Sequence, residues 1–335
     1  RLAVILEPLM LMCISLQTTT PEVLKATKRT SATEAEALHG LRFARENGIA
    51  SATELIFGLP GETLESMKDV INTTMEMRFD SIAINTLWLL RGADLYRPEY
   101  RKKHGYRGQF MLAENAITVS DEFVSMECDE IAVESKYFSY MDWKRVLTYE
   151  FMLKMSYHYG YARELLLHAL NVGISATNIF DEILDHPKLY GAASGRAVKY
   201  QKRYVENMYE SKEKLIQSIS KKIDELKGDK EAIISLSKHR MLYSFITQAF
   251  FDDEENAFLR DIHRAIINLY QGNQLDLFSE ITDVLLDLSL KMIINPRNRF
   301  HATVHFECAF DIVKWIRDGY SAPLSNYALG QKRCF

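Results

Sequence analysis

The segment from Glu54 to Thr63 joins an acidic residue and an apolar run to a Gly-Leu-Pro-Gly-Glu turn that begins a helical pattern. In parallel α/β folds ligands bind at the carboxyl ends of strands, where glycines such as Gly58 and Gly61 let the backbone approach the ligand closely. The same turn, with Pro60 between its glycines, also serves as a tight strand-to-helix connection that needs these residues for its own geometry. The segment alone therefore leaves a ligand site and a structural turn both open.

Three more features stand near the ends of apolar segments and could complete such a site. Gln17 ends the run Ile14–Gln17, Arg29 follows it by twelve residues, and Leu89–Leu95 follows a later apolar run. An amide and a carboxylate accept hydrogen bonds from ligand hydroxyls, and a guanidinium binds both oxygens of a carboxylate. Each residue also has an ordinary structural role: a buried amide bonded to backbone, a strand-edge ion pair, or a solvated helix arginine.

A second group of possible ligands, His301, His305 and Glu307, alternates along one stretch and would share one face of a strand. Two imidazoles and a carboxylate can bind a metal ion. No fourth ligand or further motif accompanies them, so a polar outer strand face is the favoured interpretation and no metal ligand is assigned. The four cysteines lie far apart, with no paired spacing that predicts a disulfide framework or a thiolate site: Cys13, Cys128, Cys308 and Cys334.

The first third of the chain has the pattern of a parallel sheet. Three short segments rich in apolar and β-branched residues are predicted as strands: Met12–Leu16, Ser51–Phe57 and Ser81–Leu89. Helical patterns separate them, one beginning at Thr20-Pro21 and another at Glu62-Thr63. Strands that alternate with helices predict a parallel sheet covered on both faces. Part of a β/α barrel and an open doubly wound sheet fit this pattern equally well.

The remainder of the chain is predicted to be mostly helical, beginning at Asp142 as a helix N-cap. The predicted helices cover Arg196–Lys227, Asp229–Phe250, Glu255–Tyr270 and Gln274–Ile294. The sequence therefore predicts a domain boundary near residue 140, with an α/β part over residues 1–140 and an α-helical domain over residues 141–335.

Composition narrows the class of protein. The 335 residues are 47% hydrophobic and 26% charged, which is typical of a globular protein with a sizeable core. A formal net charge of −4 gives no attraction to nucleic acid or to anionic lipid, so neither is expected as a partner. Glu7 and Pro8 interrupt the first apolar stretch, which predicts neither a membrane span nor a signal sequence and favours a cytoplasmic location.

Four ordered pieces of the sequence resemble the radical S-adenosylmethionine superfamily, in particular its methylthiotransferase-like and coproporphyrinogen-dehydrogenase-like branch. The matching pieces are Gln17, Leu24-Lys25 with Arg29, Glu54 with Gly58–Thr63, and Arg91-Gly92-Ala93 with Leu95. Ala93 replaces the usual threonine, and Glu54 replaces the aspartate that some branches carry. The resemblance covers about residues 1–135 and does not extend into the helical remainder.

This resemblance implies a fold and a set of roles. The fold would be α/β, the C-terminal half of a radical SAM β/α barrel (a partial TIM barrel), followed by the helical domain. Gln17 and Glu54 match the family positions that bind the ribose hydroxyls of S-adenosylmethionine, and Arg29 matches the arginine that binds its methionyl carboxylate. Gly58, Pro60 and Gly61 match the turn of the cofactor site. The implied reaction is reductive cleavage of S-adenosylmethionine by a [4Fe–4S] cluster to a 5′-deoxyadenosyl radical.

The cysteine loop that holds this cluster in the family, Cys-x3-Cys-x2-Cys, does not occur in the sequence. Since the family places it after the first barrel strand, and since the sequence begins at Arg1, we interpret the chain as N-terminally truncated and expect no turnover from it alone. Cobalamin is a further candidate cofactor, because such barrels often follow a cobalamin-binding domain. No catalytic residue is assigned, and the substrate, a small molecule or a peptide, is not identified. The alternative is a non-catalytic, degenerate barrel whose helical domain binds a partner.

Overall fold

The computed structural model describes residues 11–28, 34–120, 122–237, 256–293 and 307–334. A small parallel sheet lies at the start of the chain and has the strand order β1-β2-β3. Its strands are β1 (Leu11–Cys13), β2 (Ala50–Phe57) and β3 (Ser81–Thr86). The connecting helices are α1 (Pro21–Thr27), α2 (Glu34–Glu46) and α3 (Leu64–Glu76). The predicted alternation of strands and helices is confirmed, and the protein is a mixed helix and strand fold compatible with the α/β class.

Helix α3 shows how the sequence determines a helix in this part of the fold. Thr63 Oγ1 accepts a hydrogen bond from Ser66 N at 3.1 Å, and Ser66 Oγ accepts one from Thr63 N at 2.8 Å. This reciprocal capping box satisfies two backbone donors that the first turn of a helix leaves unpaired. The predicted apolar stripe of α3 is buried in full: Met67, Val70, Ile71 and Thr74. The capping box predicted at Ser31-Ala32-Thr33 with Glu34 depends on residues outside the described part of the chain.

A long antiparallel hairpin extends the sheet beyond β3. Helix α4 (Pro98–His104) precedes its strands, β4 (Arg107–Val119) and β5 (Val124–Glu134). Strand β5 joins the segment after β3, because Leu89 N donates to Glu130 O at 2.7 Å and Ala132 N donates to Leu87 O at 2.9 Å. The segment that follows β3 therefore pairs with β5 in antiparallel orientation and connects the hairpin to the parallel strands.

The rest of the described chain is largely helical. The helices are α5 (Tyr140–Leu153), α6 (Arg163–Asn171), α7 (Ala176–Asp185), α8 (Gly191–Glu206), α9 (Lys212–Glu225), α10 (Lys230–Ser235), α11 (Ala257–Leu269), α12 (Leu275–Ile293) and α13 (Ile312–Arg317). Two short antiparallel strands, β6 (Glu307–Phe310) and β7 (Ala328–Cys334), lie near the end of the chain. None of the helices in the described ranges is both long and apolar enough to cross a membrane.

The single helix predicted over Arg196–Lys227 is wrong, because the structure divides this stretch into α8 and α9. Between them, Tyr209 N donates to Phe110 O and Phe110 N donates to Tyr209 O, both at 2.7 Å. The backbone of the intervening segment thus pairs with β4 rather than with the preceding helical turn. The apolar spacing of a helix persists through the break, so the pattern alone could not reveal it.

The main apolar core is continuous from the sheet to the helices on both sides of residue 140. Leu55, Ile84 and Trp143 all belong to it, and α5 packs against β3 and β5. A second, smaller cluster lies under the far end of the hairpin and is formed by Leu112, Ile117, Leu215, Ile219 and Ile233. The domain boundary near residue 140 stays a prediction.

The prediction that Asp142 is the N-cap of the first helix after residue 140 is wrong. The cap is Ser139 rather than Asp142: Ser139 Oγ accepts from Asp142 N at 3.1 Å, and Asp142 Oδ2 accepts from Ser139 N at 2.8 Å. Ser139→Ala is therefore expected to lower the free energy of unfolding by about 1 kcal/mol. Chemical denaturation measures this change, with Ser125→Ala, an exposed strand position, as the control. Equal stability of the two variants would contradict the assigned cap.

Candidate functional site

Gln17 and Glu54 are backbone neighbours in the carboxyl half of the parallel sheet. Gln17 N donates to Glu54 O at 2.8 Å, and Ile56 N donates to Gln17 O at 2.8 Å. Cys13 pairs with Ala52 but Gln17 pairs with Leu55, so the chain after β1 contains one extra residue relative to β2. Gln17 has φ 61°, in the left-handed region that non-glycine residues seldom adopt. The structure thus brings the backbones of these two predicted residues together through an irregular segment, with Gln17 in register with Leu55 rather than with Glu54.

Glu54 belongs to the face of the sheet that the described part of the chain leaves partly exposed. It is exposed, whereas its neighbours in sequence, Thr53 and Leu55, are buried on the opposite face. Cys13 and Asn85, also exposed, lie on the neighbouring strands. Asn85 pairs with Ile56, one step beyond Glu54 toward the carboxyl end. Its amide is a polar group of this edge that the sequence analysis missed, because β3 reads as a simple apolar strand.

The turn after β2 needs both of its glycines for backbone reasons. Gly58 has φ 107° and Gly61 has φ 94°. A Cβ atom on Gly58 would lie 3.1 Å from Leu87 Cβ, and Tyr106 Oη donates to Gly58 O at 2.8 Å. Pro60 is buried. Strand-to-helix geometry therefore accounts for these three residues without a ligand, and a role in cofactor binding stays a prediction.

A cavity of about 220 Å³ lies beside this turn. Residues from three of the four sequence pieces line it, namely Ala26, Thr27 and Lys28 from the end of α1, Leu59 and Pro60 from the turn, and Ala93, Asp94 and Leu95 with Tyr100. Lys28 directly precedes Arg29, which lies outside the described residues, so the role predicted for Arg29 stays a prediction. Gln17 and Glu54 stand on the sheet and do not line this cavity.

Glu62 is a buried acid beneath the turn that sequence analysis did not single out. Its side chain is 0% exposed, and Oε1 accepts a hydrogen bond from Ser66 Oγ at 2.7 Å. Its Oε2 atom is buried and has no hydrogen-bond partner in the described part of the chain. Burial raises the pKa of Glu62 to about 7, although the hydroxyls of Ser66 and Thr18 oppose the rise. The turn after β2 therefore contains a buried carboxyl group, that of Glu62, whose pKa lies near neutral pH.

No group of three His, Cys, Asp or Glu residues that could hold a metal ion occurs within the described ranges. All four cysteines are free thiols; Cys13 is exposed on β1 and Cys308 is buried. The described residues consequently do not fit a [4Fe–4S] cluster, and we derive no reaction step through one. His301 and His305 lie outside the described residues, while Glu307 begins β6.

Comparison with known proteins does not identify a family. No protein-family model matches the sequence. No curated protein matches it significantly.

Proposed function

We propose that the carboxyl edge of the parallel sheet binds S-adenosylmethionine, with Gln17 and Glu54 accepting hydrogen bonds from its ribose hydroxyls. The observation that carries this proposal is the 2.8 Å backbone hydrogen bond between Gln17 N and Glu54 O, which makes the two residues neighbours on adjacent strands. Because Gln17 is in register with Leu55, the proposal requires the irregular backbone at Gln17 to turn its amide toward Glu54. The amide oxygen and the carboxylate both suit hydroxyl donors. Because Glu54 is exposed, a ligand reaches it without unfolding any part of the sheet.

The arrangement around this edge supports the proposal further. The described residues of the four sequence pieces that resemble the radical S-adenosylmethionine superfamily follow β1, lie in and after β2, and follow β3. In a β/α barrel, alternate residues of each strand face the interior. If these strands belong to a half barrel, its interior would be lined by the partly exposed face that carries Cys13, Glu54 and Asn85. We include that half barrel in the proposal.

The reaction class is proposed from the resemblance alone. The resemblance implies a [4Fe–4S] cluster, whose three thiolates would have to come from outside the described residues. What this chain contributes in the proposal is binding and orientation of the nucleoside at Gln17 and Glu54. The helical part, cobalamin and the substrate have no assigned role at this edge.

The proposal predicts that Glu54→Ala and Gln17→Gly each weaken binding of S-adenosylmethionine by about tenfold or more, since each removes a hydrogen bond of about 1.4 kcal/mol or more. Glycine is chosen at residue 17 because it removes the amide and still accepts the positive φ. Isothermal titration calorimetry gives the dissociation constants. Glu65→Ala, an exposed acid on α3, is the matched control and should change the affinity less than about twofold.

A ligand that lacks one hydroxyl makes this test specific. If Glu54 binds the ribose, then Glu54→Ala should cost little further affinity for the 2′-deoxy or 3′-deoxy analogue whose missing hydroxyl is its partner. This is a cycle between protein and ligand, and non-additivity in it reports direct contact. Unchanged affinity of both variants, or no saturable binding of S-adenosylmethionine, would reject the proposal and favour a non-catalytic interaction module.

A further inference from the structure

A larger cavity, of about 560 Å³, lies at the opposite edge of the parallel sheet. Its walls include Leu11, Ala50 and Ser81, which are the first residues of β1, β2 and β3. Along β2, Glu54 of the candidate nucleoside site lies four residues beyond Ala50 and does not line this cavity. Its volume lies in the range of sites that bind small molecules.

Three arginines line this cavity: Arg45 near the end of α2, Arg78 after α3, and Arg163 at the start of α6. None of them forms a salt bridge with a carboxylate in the described part of the chain. Asp80, the acid that lines the same cavity, uses Oδ2 to accept hydrogen bonds from Ser51 N and Ser51 Oγ, both at 2.8 Å. The cavity walls thus carry three guanidinium groups against a single carboxylate.

Arg163 and Arg78 are held in place by neutral groups. Arg163 Nη2 donates to Asp80 O at 2.5 Å and to Tyr157 O at 3.1 Å. Arg78 Nη2 donates to Asn171 Oδ1 at 2.5 Å. Neutral acceptors hold both guanidinium groups, and neither group forms a salt bridge with a carboxylate within the described ranges.

Arg78 also has an unused donor. Its Nη1 atom is buried and makes no hydrogen bond within the described ranges. Burial lowers the pKa of Arg78; Tyr157 opposes this shift, and the positive charge of Arg45 adds to it. The C-terminal ends of α2 and α3 favour nearby cations, which gives Arg45 and Arg78 a structural role. That role does not account for a buried donor without a partner, since leaving such a group unpaired destabilises the fold.

The guanidinium group of Arg45, the third arginine of the cavity, packs against Gly319. Gly319 lines the cavity, and a Cβ atom on it would lie 3.0 Å from Arg45 Cζ. Gly319 also has φ 66°, so both its space and its backbone suit glycine. The Arg45 side chain consequently lies directly against backbone at the cavity wall.

We infer that this cavity is a binding site for a small organic anion, a molecule with a phosphate or carboxylate group on an apolar body. The guanidinium group is weakly hydrated and matches both anions with paired hydrogen bonds, so arginine is the side chain best suited to them. Apolar walls contributed by Leu41, Phe79 and Leu167 suit the body of such a molecule. This inference is independent of the proposed nucleoside site.

Titration calorimetry with phenyl phosphate, benzoate and the uncharged benzyl alcohol tests the inference on the full chain. Phenyl phosphate or benzoate should bind saturably, and whichever binds more tightly identifies the preferred anion. Arg45→Gln should weaken that binding by about tenfold or more, because it removes a charge-assisted pair of hydrogen bonds. Arg42→Gln removes the same charge from an exposed position on the same helix, does not touch the cavity, and should change the affinity less than about twofold.

Two further variants secure the result. Arg78→Gln should weaken anion binding as Arg45→Gln does, and Glu54→Ala at the other edge should leave it unchanged. Equal binding of benzyl alcohol, equal losses in Arg42→Gln and Arg45→Gln, or no saturable binding of either anion up to about 10 mM would each overturn the inference.

Discussion

His168→Phe is expected to raise the free energy of unfolding by about 1–3 kcal/mol at pH 7, the cost of burying polar atoms that have no partner. His168 is 2% exposed, and neither ring nitrogen has a hydrogen-bond partner in the described part of the chain. Its ring stacks on Phe278, with centroids 5.1 Å apart. Phenylalanine retains this aromatic contact and removes both unsatisfied nitrogens.

The gain should grow as the pH falls. Burial lowers the pKa of His168 to about 4, from an ordinary value of 6.5. Between these values the unfolded chain binds the proton and the folded chain does not, so lowering the pH through this range destabilises the fold. The loss reaches about 3 kcal/mol near pH 4, and the phenylalanine variant lacks it.

Urea denaturation at pH 7 and at pH 4.5 measures both parts of this prediction. The difference in unfolding free energy between the variant and the wild type should increase by about 2–3 kcal/mol at the lower pH. His39→Phe, at an exposed position, is the control. Parallel curves for wild type and His168→Phe would show that His168 titrates normally in the fold.

Glu62→Gln is expected to change the pH dependence in the opposite sense. The pKa of Glu62 is raised to about 7 by burial, from an ordinary value of 4.5. The folded chain therefore holds this proton over a range in which the unfolded chain has lost it. Raising the pH through that range removes about 3 kcal/mol of stability from the wild type by pH 8, and glutamine, which does not ionise, removes none.

The measurement is the free energy of unfolding of wild type and Glu62→Gln at pH 4.5, 6 and 8. The difference between them should shift by about 3 kcal/mol in favour of the variant as the pH rises. Glu65→Gln changes an exposed acid on the first turn of the same helix and should give no such shift. A constant difference for Glu62→Gln across the three pH values would contradict the buried, protonated acid.

Together the two groups give the wild type a flatter pH profile than either would alone. Protonation of His168 destabilises the fold on the acidic side, and ionisation of Glu62 does so as the pH rises toward neutral. Because their ranges overlap, the two terms partly cancel between about pH 4.5 and 6.5. The difference between wild type and each variant isolates the term of the replaced residue, and the variant's own pH profile shows the term of the other.

Local patterns predicted the sheet and its helices well. The apolar runs around Ser51–Phe57 and Ser81–Leu89, with a helix start at Thr63, were enough to place β2, α3 and β3 in order. The same reasoning placed Gln17 and Glu54 near each other, since carboxyl ends of parallel strands share one edge. The break between α8 and α9 was not predictable, because it depends on pairing between Tyr209 and the distant Phe110.

The buried acid and the cluster of arginines could not be predicted from the sequence either, because both arise only from the folded structure. Glu62 reads as a turn residue until the fold shows that it is fully buried. Arg45, Arg78 and Arg163 are far apart in sequence and meet only where α2, α3 and α6 converge. No spacing rule connects such residues, so the cavity at the amino ends of the strands could be found only in three dimensions.

The continuous core has a consequence for how this protein could change in evolution. Ile84 on β3 and Trp143 on α5 belong to the same buried cluster, so the helices act as one wall of the sheet's interior. A gene rearrangement that replaced the segment after residue 140 would expose apolar side chains of the remaining strands to solvent. Descendants of this chain are therefore expected to inherit both segments together, and to diversify at the exposed strand face and the two edges, where substitutions leave that shared interior intact.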